Sequence, residues 1–259
     1  GAHLEGPFLA KARRGAHPEA HLAPPSPAAL HARLAGFESE IALMTLAPEL
    51  AGAEAVIAAL RAQGIVVSLG HSEASELQAQ RAFEAGVGML THAFNAMPGL
   101  HHRAPGPVAA AAVRGDVAMG LIADGVHVAP SQAVLLQRLA PQQVVLVSDA
   151  LAPYGLPEGL HRWDSRSLLV ENGSCRLEDG TLAGVTLPLL EGVVRLAGWS
   201  RAPGAAIAAA TVLPRRVLGD HRPVQELLLG QPLAETLRWS GGDVDPLRWR
   251  RAGAATRTP

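Results

Sequence analysis

Through Asp149 the chain alternates between short apolar runs and amphipathic stretches, and this alternation limits its possible folds more than any other feature. Ile41 to Leu46 is apolar; Ala53 to Gln63 then places Val56, Ile57 and Leu60 on one helical face. Ile65 to Leu69 is apolar again and ends at Gly70. A helical stretch from Glu73 to Ala85 follows, with Ser72 as its expected N-cap. Val87 to Thr91, Val117 to Ala123 and Val144 to Ser148 continue the series, with a helical stretch near Ser131 to Leu139. Runs apolar at successive positions are buried on both faces, which argues a parallel sheet covered by helices. The strand-like runs end near Glu5, Ala47, Gly70, His92, Asp124 and Asp149, six in all.

Beyond Asp149 the pattern changes. Ser167 to Val170 and Ser174 to Leu177 flank Glu171-Asn172-Gly173, and an Asn-Gly step between apolar runs predicts a β-hairpin. Helical stretches follow at Leu187 to Ala197 and Gly204 to Ala210. Gln225 to Trp239 and Leu247 to Arg250 read as short strands with turns, a small β subdomain. Pro24-Pro25-Ser26-Pro27 reads as loop.

Composition narrows the function. With 259 residues, 48% of them hydrophobic and 17% charged, the chain can bury a large core. A net charge of −1 and scattered arginines argue against a nucleic-acid partner or an anionic membrane surface. Cys175 is the only cysteine, so no internal disulfide can form, and a cytoplasmic location fits. No apolar run reaches the roughly 18–20 residues of a membrane-spanning helix.

The chemistry lies at the ends of the runs. Glu5, His71, His92, Asp124 and Asp149 each close one of them, and parallel barrels build their active sites at the C-terminal ends of their strands. Singly, a histidine after a strand is more often structural and an aspartate before glycine is a turn residue. Five ionisable residues in one location reverse that reading. One carboxylate and two imidazoles can hold a divalent metal with positions left for water and substrate. A bound metal brings the pKa of its water toward neutrality, and a further carboxylate could take that proton. Spacing alone does not say which residue has which role, because the candidates are far apart in sequence.

The motifs around these residues supply the assignment. His3-Leu4-Glu5-Gly6-Pro7-Phe8, Arg14-Gly15-Ala16-His17, Gly70-His71-Ser72, Thr91-His92-Ala93-Phe94-Asn95-Ala96-Met97, Asp124-Gly125-Val126-His127, Val147-Ser148-Asp149-Ala150 and Gly180-Thr181-Leu182-Ala183-Gly184 run in order along the chain. Together they resemble the N-acetylglucosamine-6-phosphate deacetylases of the amidohydrolase superfamily. The family's usual leucine is replaced by Ala93, Val185-Thr186-Leu187-Pro188 departs from its Ser-rich continuation, and the match fades after Gly219. The resemblance implies metal ligation by Glu5, His71 and His92. The ion would be one divalent metal, zinc first, with Fe2+, Co2+ or Mn2+ as alternatives. Asp149 would be general base and then acid, and His17 would hydrogen-bond the acetyl carbonyl oxygen. Substrate contacts would come from Ala16, Asn95, Ala96, Arg103, Asp124, Gly125, Val126 and His127, with Leu182, Ala183 and Gly184 as a loop over the sugar.

The expected fold is α/β: an amidohydrolase-type (β/α)8 barrel over residues 1–220 lacking its first two strands, then a remnant of a small β subdomain over 221–259. With only six strands, a gap should separate the Glu5 strand from the Asp149 strand. The implied reaction is hydrolysis of the acetamide of N-acetylglucosamine 6-phosphate by a homodimer. Two alternatives stay open: deacetylation of a related sugar phosphate such as N-acetylgalactosamine 6-phosphate, and a non-catalytic metal- or sugar-phosphate-binding protein.

Overall fold

The structure, a computed structural model, describes residues 1–242 and 245–253. Six parallel strands form one sheet in sequential order: β1 (Ala2–Glu5), β2 (Ile41–Leu46), β3 (Val66–Leu69), β4 (Met89–Leu90), β5 (Ala118–Ile122) and β6 (Val144–Val147). These are the six runs read from the sequence. Helices α1 (Pro27–Leu34), α2 (Ala53–Ala62), α3 (Glu76–Glu84), α4 (Gly106–Arg114) and α5 (Pro130–Leu139) fill the connections. The strands bury both faces: Met44, Leu46, Val67, Leu69, Leu90, Met119 and Leu121 on one, joined by Val56, Ile57 and Leu60 from α2, and Leu43, Thr45, Ser68, Met89 and Ile122 on the other. That double burial explains why the runs are continuously apolar.

The sheet curls but does not close. β1 pairs only with β2 and β6 only with β5 among the described residues, so the expected gap between the Glu5 and Asp149 strands is present.

After β6 comes a four-stranded antiparallel sheet, spatial order β10-β9-β8-β7, made of β7 (Gly159–Trp163), β8 (Arg166–Glu171), β9 (Ser174–Leu177) and β10 (Leu182–Val185). The β8–β9 turn is the predicted Asn172-Gly173 hairpin, with both residues at positive φ, 51° and 79°. A bridge between Ala150 and Val185 ties this sheet to the end of β6. Helices α6 (Leu189–Ser200) and α7 (Pro203–Val217) then pack against β6, and buried Ala206 and Ala209 give α7 a slim face for that approach.

Several local expectations are corrected. Helix α3 starts three residues later than expected. Its cap is Ser75, which forms a capping box with Gln78, while Ser72 is fully buried and bonds elsewhere. Ser26 and Pro27, read as loop, are the N-cap and first residue of α1. The stretch from Gln225 is not strand: α8 (Val224–Leu228) and a 3-10 turn at Leu233–Glu235 precede a two-stranded sheet, β11 (Leu237–Ser240) with β12 (Arg248–Arg251). Leu247 is buried in the main core and Trp239 packs against it, so this small sheet's segment contacts the core of the preceding elements through these two residues. Of the expected 221–259 remnant, residues 243, 244 and 254–259 lie outside the described residues.

Candidate metal centre

Strand register assembles the site. Leu69 pairs with Leu90 and Ile122 with Val147, so the C-terminal ends of these strands stand in matched pairs. His71, His92, Asp124 and Asp149 each follow by two residues the last residue of β3, β4, β5 and β6. Glu5 is the last residue of β1. Adjacent strands are about 4.8 Å apart, so side chains carried at strand ends in this way converge.

The convergence is tight. Glu5 Oε1 lies 3.2 Å from His71 Nε2 and 3.1 Å from His92 Nε2, and the two ring nitrogens are 3.1 Å apart. His17 Nε2 lies 3.3 Å from the other carboxylate oxygen, Glu5 Oε2. Two triads therefore share Glu5 and His71: one with His92, the other with His17, whose ligand atoms fall within 4.8 Å of one another. The triad with His92 is the tighter. Its separations are close to the roughly 3.3 Å edge of a tetrahedron whose centre is about 2.0–2.1 Å from each donor.

The hydrogen bonds make the same case. His71 donates Nδ1–H to Arg13 O at 2.7 Å, which leaves Nε2 as a bare acceptor in the neutral ring. Glu5 Oε1 is buried and has no hydrogen bond of usable geometry, despite two ring nitrogens at contact distance. A carboxylate oxygen and an imidazole lone pair at 3.2 Å repel each other unless a cation lies between them. A divalent metal meets that need with the donors present. Burial works against the Glu5 charge, but the imidazoles of His17, His71 and His92 gathered around it outweigh that and hold the carboxyl far below the usual range. Burial likewise disfavours charge on His92, yet contact with Glu5 leaves its pKa raised.

Three of these residues have strained backbones: φ is 47° at His71, 27° at His92 and 50° at Asp149. Side chains other than glycine rarely adopt this region and persist there only where the surroundings enforce it, commonly at functional sites.

A cavity of about 520 Å³ opens above the triad, within the range of small-molecule sites. Of the residues singled out in the sequence, Glu5, Ala16, His17, His71, His92, Asn95, Ala96, His127, Asp149, Leu182 and Ala183 line it. Burial raises the pKa of Asp149 above the ordinary carboxyl value, with His92 lowering and Glu5 raising it further. Asp124 does not line the cavity. Its carboxylate accepts His127 Nδ1–H at 2.6 Å and the backbone N–H groups of Val126 and His127, and so aims the His127 ring. Gly125 sits against Trp199, and Val126 is exposed. Gly184 is packed under Asp149 O, and Leu182 to Gly184 belong to strand β10, not to a loop. Arg103 is exposed and outside the cavity wall.

The sequence reading missed one wall. Trp163, Asp164 and Arg166 from β7, its turn and β8 line the cavity. Arg166 is held by Asp164 at 2.7 Å, stacks over Trp163 at 4.6 Å and donates to Ala16 O at 2.6 Å. An Arg two residues after an Asp in a predicted hairpin carries no signal of that reach, since Ala16 is 150 positions away.

No family model matches the chain. Individual relatives do. It is 37% identical over 241 residues to an N-acetylglucosamine-6-phosphate deacetylase of Mus musculus, covering 89% of this chain and 58% of the relative. It is 36% identical over 222 residues to an N-acetylgalactosamine-6-phosphate deacetylase of Escherichia coli O157:H7, covering 85% of this chain and 58% of that one. Among solved structures, a Mycobacterium smegmatis N-acetyl-D-glucosamine-6-phosphate deacetylase variant in complex with N-acetyl-D-glucosamine-6-phosphate superposes with a TM-score of 0.80 at 34% identity, covering 84% of this chain and 59% of that one. The Thermotoga maritima deacetylase gives 0.78 at 33% identity, over 85% of this chain and 60% of that one. In sequence and in fold the chain is similar to the N-acetylglucosamine-6-phosphate deacetylases, and it spans about 58% of the length of the curated relatives it matches.

Proposed function

We propose that this chain carries the catalytic centre of a metal-dependent deacetylase that hydrolyses the acetamide of N-acetyl-D-glucosamine 6-phosphate to D-glucosamine 6-phosphate and acetate. The six-stranded curl corresponds, in this reading, to the greater part of an amidohydrolase-type (β/α)8 barrel. The observation that carries the proposal is the Glu5–His71–His92 triad, with ligand atoms 3.1–3.2 Å apart, at the floor of a cavity that also contains Asp149. Relatives named as deacetylases of two epimeric hexosamine phosphates support the substrate class.

A divalent metal held by Glu5, His71 and His92, with zinc the best match to two imidazoles and a carboxylate, would supply an acidified water and polarise the amide carbonyl. Asp149, which lines the same cavity, would take the water proton and return it to the amide nitrogen, because an amide anion is a very poor leaving group. Its raised pKa suits a group that must both accept and give a proton. His17, which lines the cavity beside Glu5, would donate to the carbonyl oxygen as negative charge builds there. His127, fixed by Asp124, and the Asn95–Ala96 turn would bind sugar hydroxyls, with Leu182 and Ala183 against the ring. Arg103 stands clear of this cavity and, in the homodimer we propose, would serve the phosphate from the subunit interface.

Metal analysis and acetate release test the reading together. One zinc per chain, lost in His71→Ala, with acetate formed from N-acetylglucosamine 6-phosphate faster than from the galactosamine epimer, is the expected result. Unchanged metal content in His71→Ala would sink the ligand assignment. Faster turnover of the epimer would move the specificity to the second substrate.

A further inference from the structure

The loop that carries His71 holds a strained residue, and several of the groups that hold the loop do not line the cavity. His71 has φ 47°, so its neighbours must hold it there. Ala10 N–H donates to His71 O at 2.8 Å on one side. On the other side the next residue, Ser72, is fully buried, and its hydroxyl donates to Glu49 Oε2 at 2.7 Å. Glu73 N–H donates to the second oxygen, Glu49 Oε1, at 2.6 Å. Ser72 Oγ in turn accepts Ala74 N–H at 3.0 Å, and Ser72 N–H donates to Ala96 O at 3.0 Å.

One carboxylate from the turn after β2 thus gathers two donors of the loop after β3. That loop is bonded through Ser72 to the Asn95–Ala96 turn after β4, where Ala96 is itself strained at φ 50°. Hydrogen bonds to an ionised acceptor are short and about twice as strong as neutral ones, and both distances here are at the short end. Ser72 is also the residue the sequence marks as a helix cap. Ser75 does that work, which leaves Ser72 for this linkage.

We propose that Glu49 is a positioning residue: it locks the Ser72–Ala74 segment, holds His71 in its ligating conformation and ties the metal centre to the Asn95–Ala96 turn. The proposal rests on the reading of His71 as a metal ligand. Glu49→Gln is the informative change because it keeps the shape but offers one acceptor oxygen to two donors, so the amide nitrogen must face one of them. Changes beyond the first ligands typically cost about 10–100-fold in metal affinity.

The test measures zinc affinity of the full chain by chelator competition for the parent, Glu49→Gln, Ser72→Ala, the double variant and His71→Ala, with amide hydrogen exchange on the metal-free proteins. Glu49→Gln and Ser72→Ala should each weaken zinc roughly 10–100-fold, and the double variant should be little worse than either. Exchange should quicken at the Ser72, Glu73 and Ala74 amides and not across the core. Parent-like affinity in both single variants, where the parent's zinc depends on His71, would overturn the proposal. If zinc binding by the parent does not depend on His71, the metal reading itself fails. Exchange then decides the positioning role: local quickening upholds it, and unchanged or uniformly raised exchange refutes it.

Discussion

His71, His92 and Asp149 share a conformation that costs of order 1–3 kcal/mol each when nothing enforces it. Each lies two residues past a strand end, where the chain must turn outward while the side chain stays over the sheet. Their roles separate by environment. His71 and His92 face Glu5 at contact distance, whereas the Asp149 carboxyl has its pKa raised by burial and makes no ion pair among the described residues. We therefore expect Asp149→Asn to retain its metal and lose roughly 10²–10⁴ of turnover, the range for general acid–base catalysis. Near-parental turnover with metal retained would remove the assignment. Arg103 makes a different demand, since it stands outside the wall of its own cavity. If it serves phosphate, Arg103→Ala should raise KM for the phosphorylated sugar far more than for its unphosphorylated analogue, and equal changes for both would count against it.

At the scale of elements, the antiparallel sheet makes the cavity a pocket and not an open strand-end surface. The Ala150–Val185 bridge brings β10 beneath the Asp149 turn, and β7 and β8 add Trp163 and Arg166 as a wall. Gly184 is the close contact in that join. A Cβ there would stand 2.7 Å from Asp149 O and 2.7 Å from Leu151 Cγ, and a backbone carbonyl cannot yield as a flexible side-chain tip can. Gly184→Ala should cost about 1–3 kcal/mol in a denaturant titration, as overpacking does. It should also depress turnover while metal content stays at one per chain, because the ligands come from the other sheet. Loss of metal along with activity would show the two sheets to be more tightly coupled than this.

For the whole molecule, the open curl leaves β1 and β6 as sheet edges beside the site, each paired with a single strand of its own sheet among the described residues, with only the Ala150–Val185 bridge beyond β6. A metal bound between Glu5 on β1 and the histidines after β3 and β4 would brace this sheet. Ligand bound to the native state alone stabilises by mass action, about 2.7 kcal/mol at a hundred times Kd. Zinc should therefore raise the thermal midpoint, a chelator should reverse the rise, and His71→Ala should show neither effect. A midpoint indifferent to zinc in the parent would contradict the centre as described.

The sequence by itself determined the six parallel strands, because only burial on both faces requires runs as continuously apolar as Val144 to Ser148. It also determined which ionisable side chains stand at their ends, since a strand's C-terminus is marked locally by a polar residue after an apolar run. The β8–β9 hairpin was legible for a similar reason: Asn172-Gly173 is a local conformational preference. The start of α3 was not, because Ser72 and Ser75 are equivalent caps on paper and only the buried contact with Glu49 separates them. Nor was the Trp163–Arg166 wall, whose bond to Ala16 joins residues 150 apart. Which residues of Asp124-Gly125-Val126-His127 face the cavity was likewise settled in three dimensions, where the Asp124 carboxylate turns inward on His127 and away from the cavity. Strand identity follows from local burial pattern; a pocket wall depends on distant segments meeting, and only the tertiary structure decided which ones met.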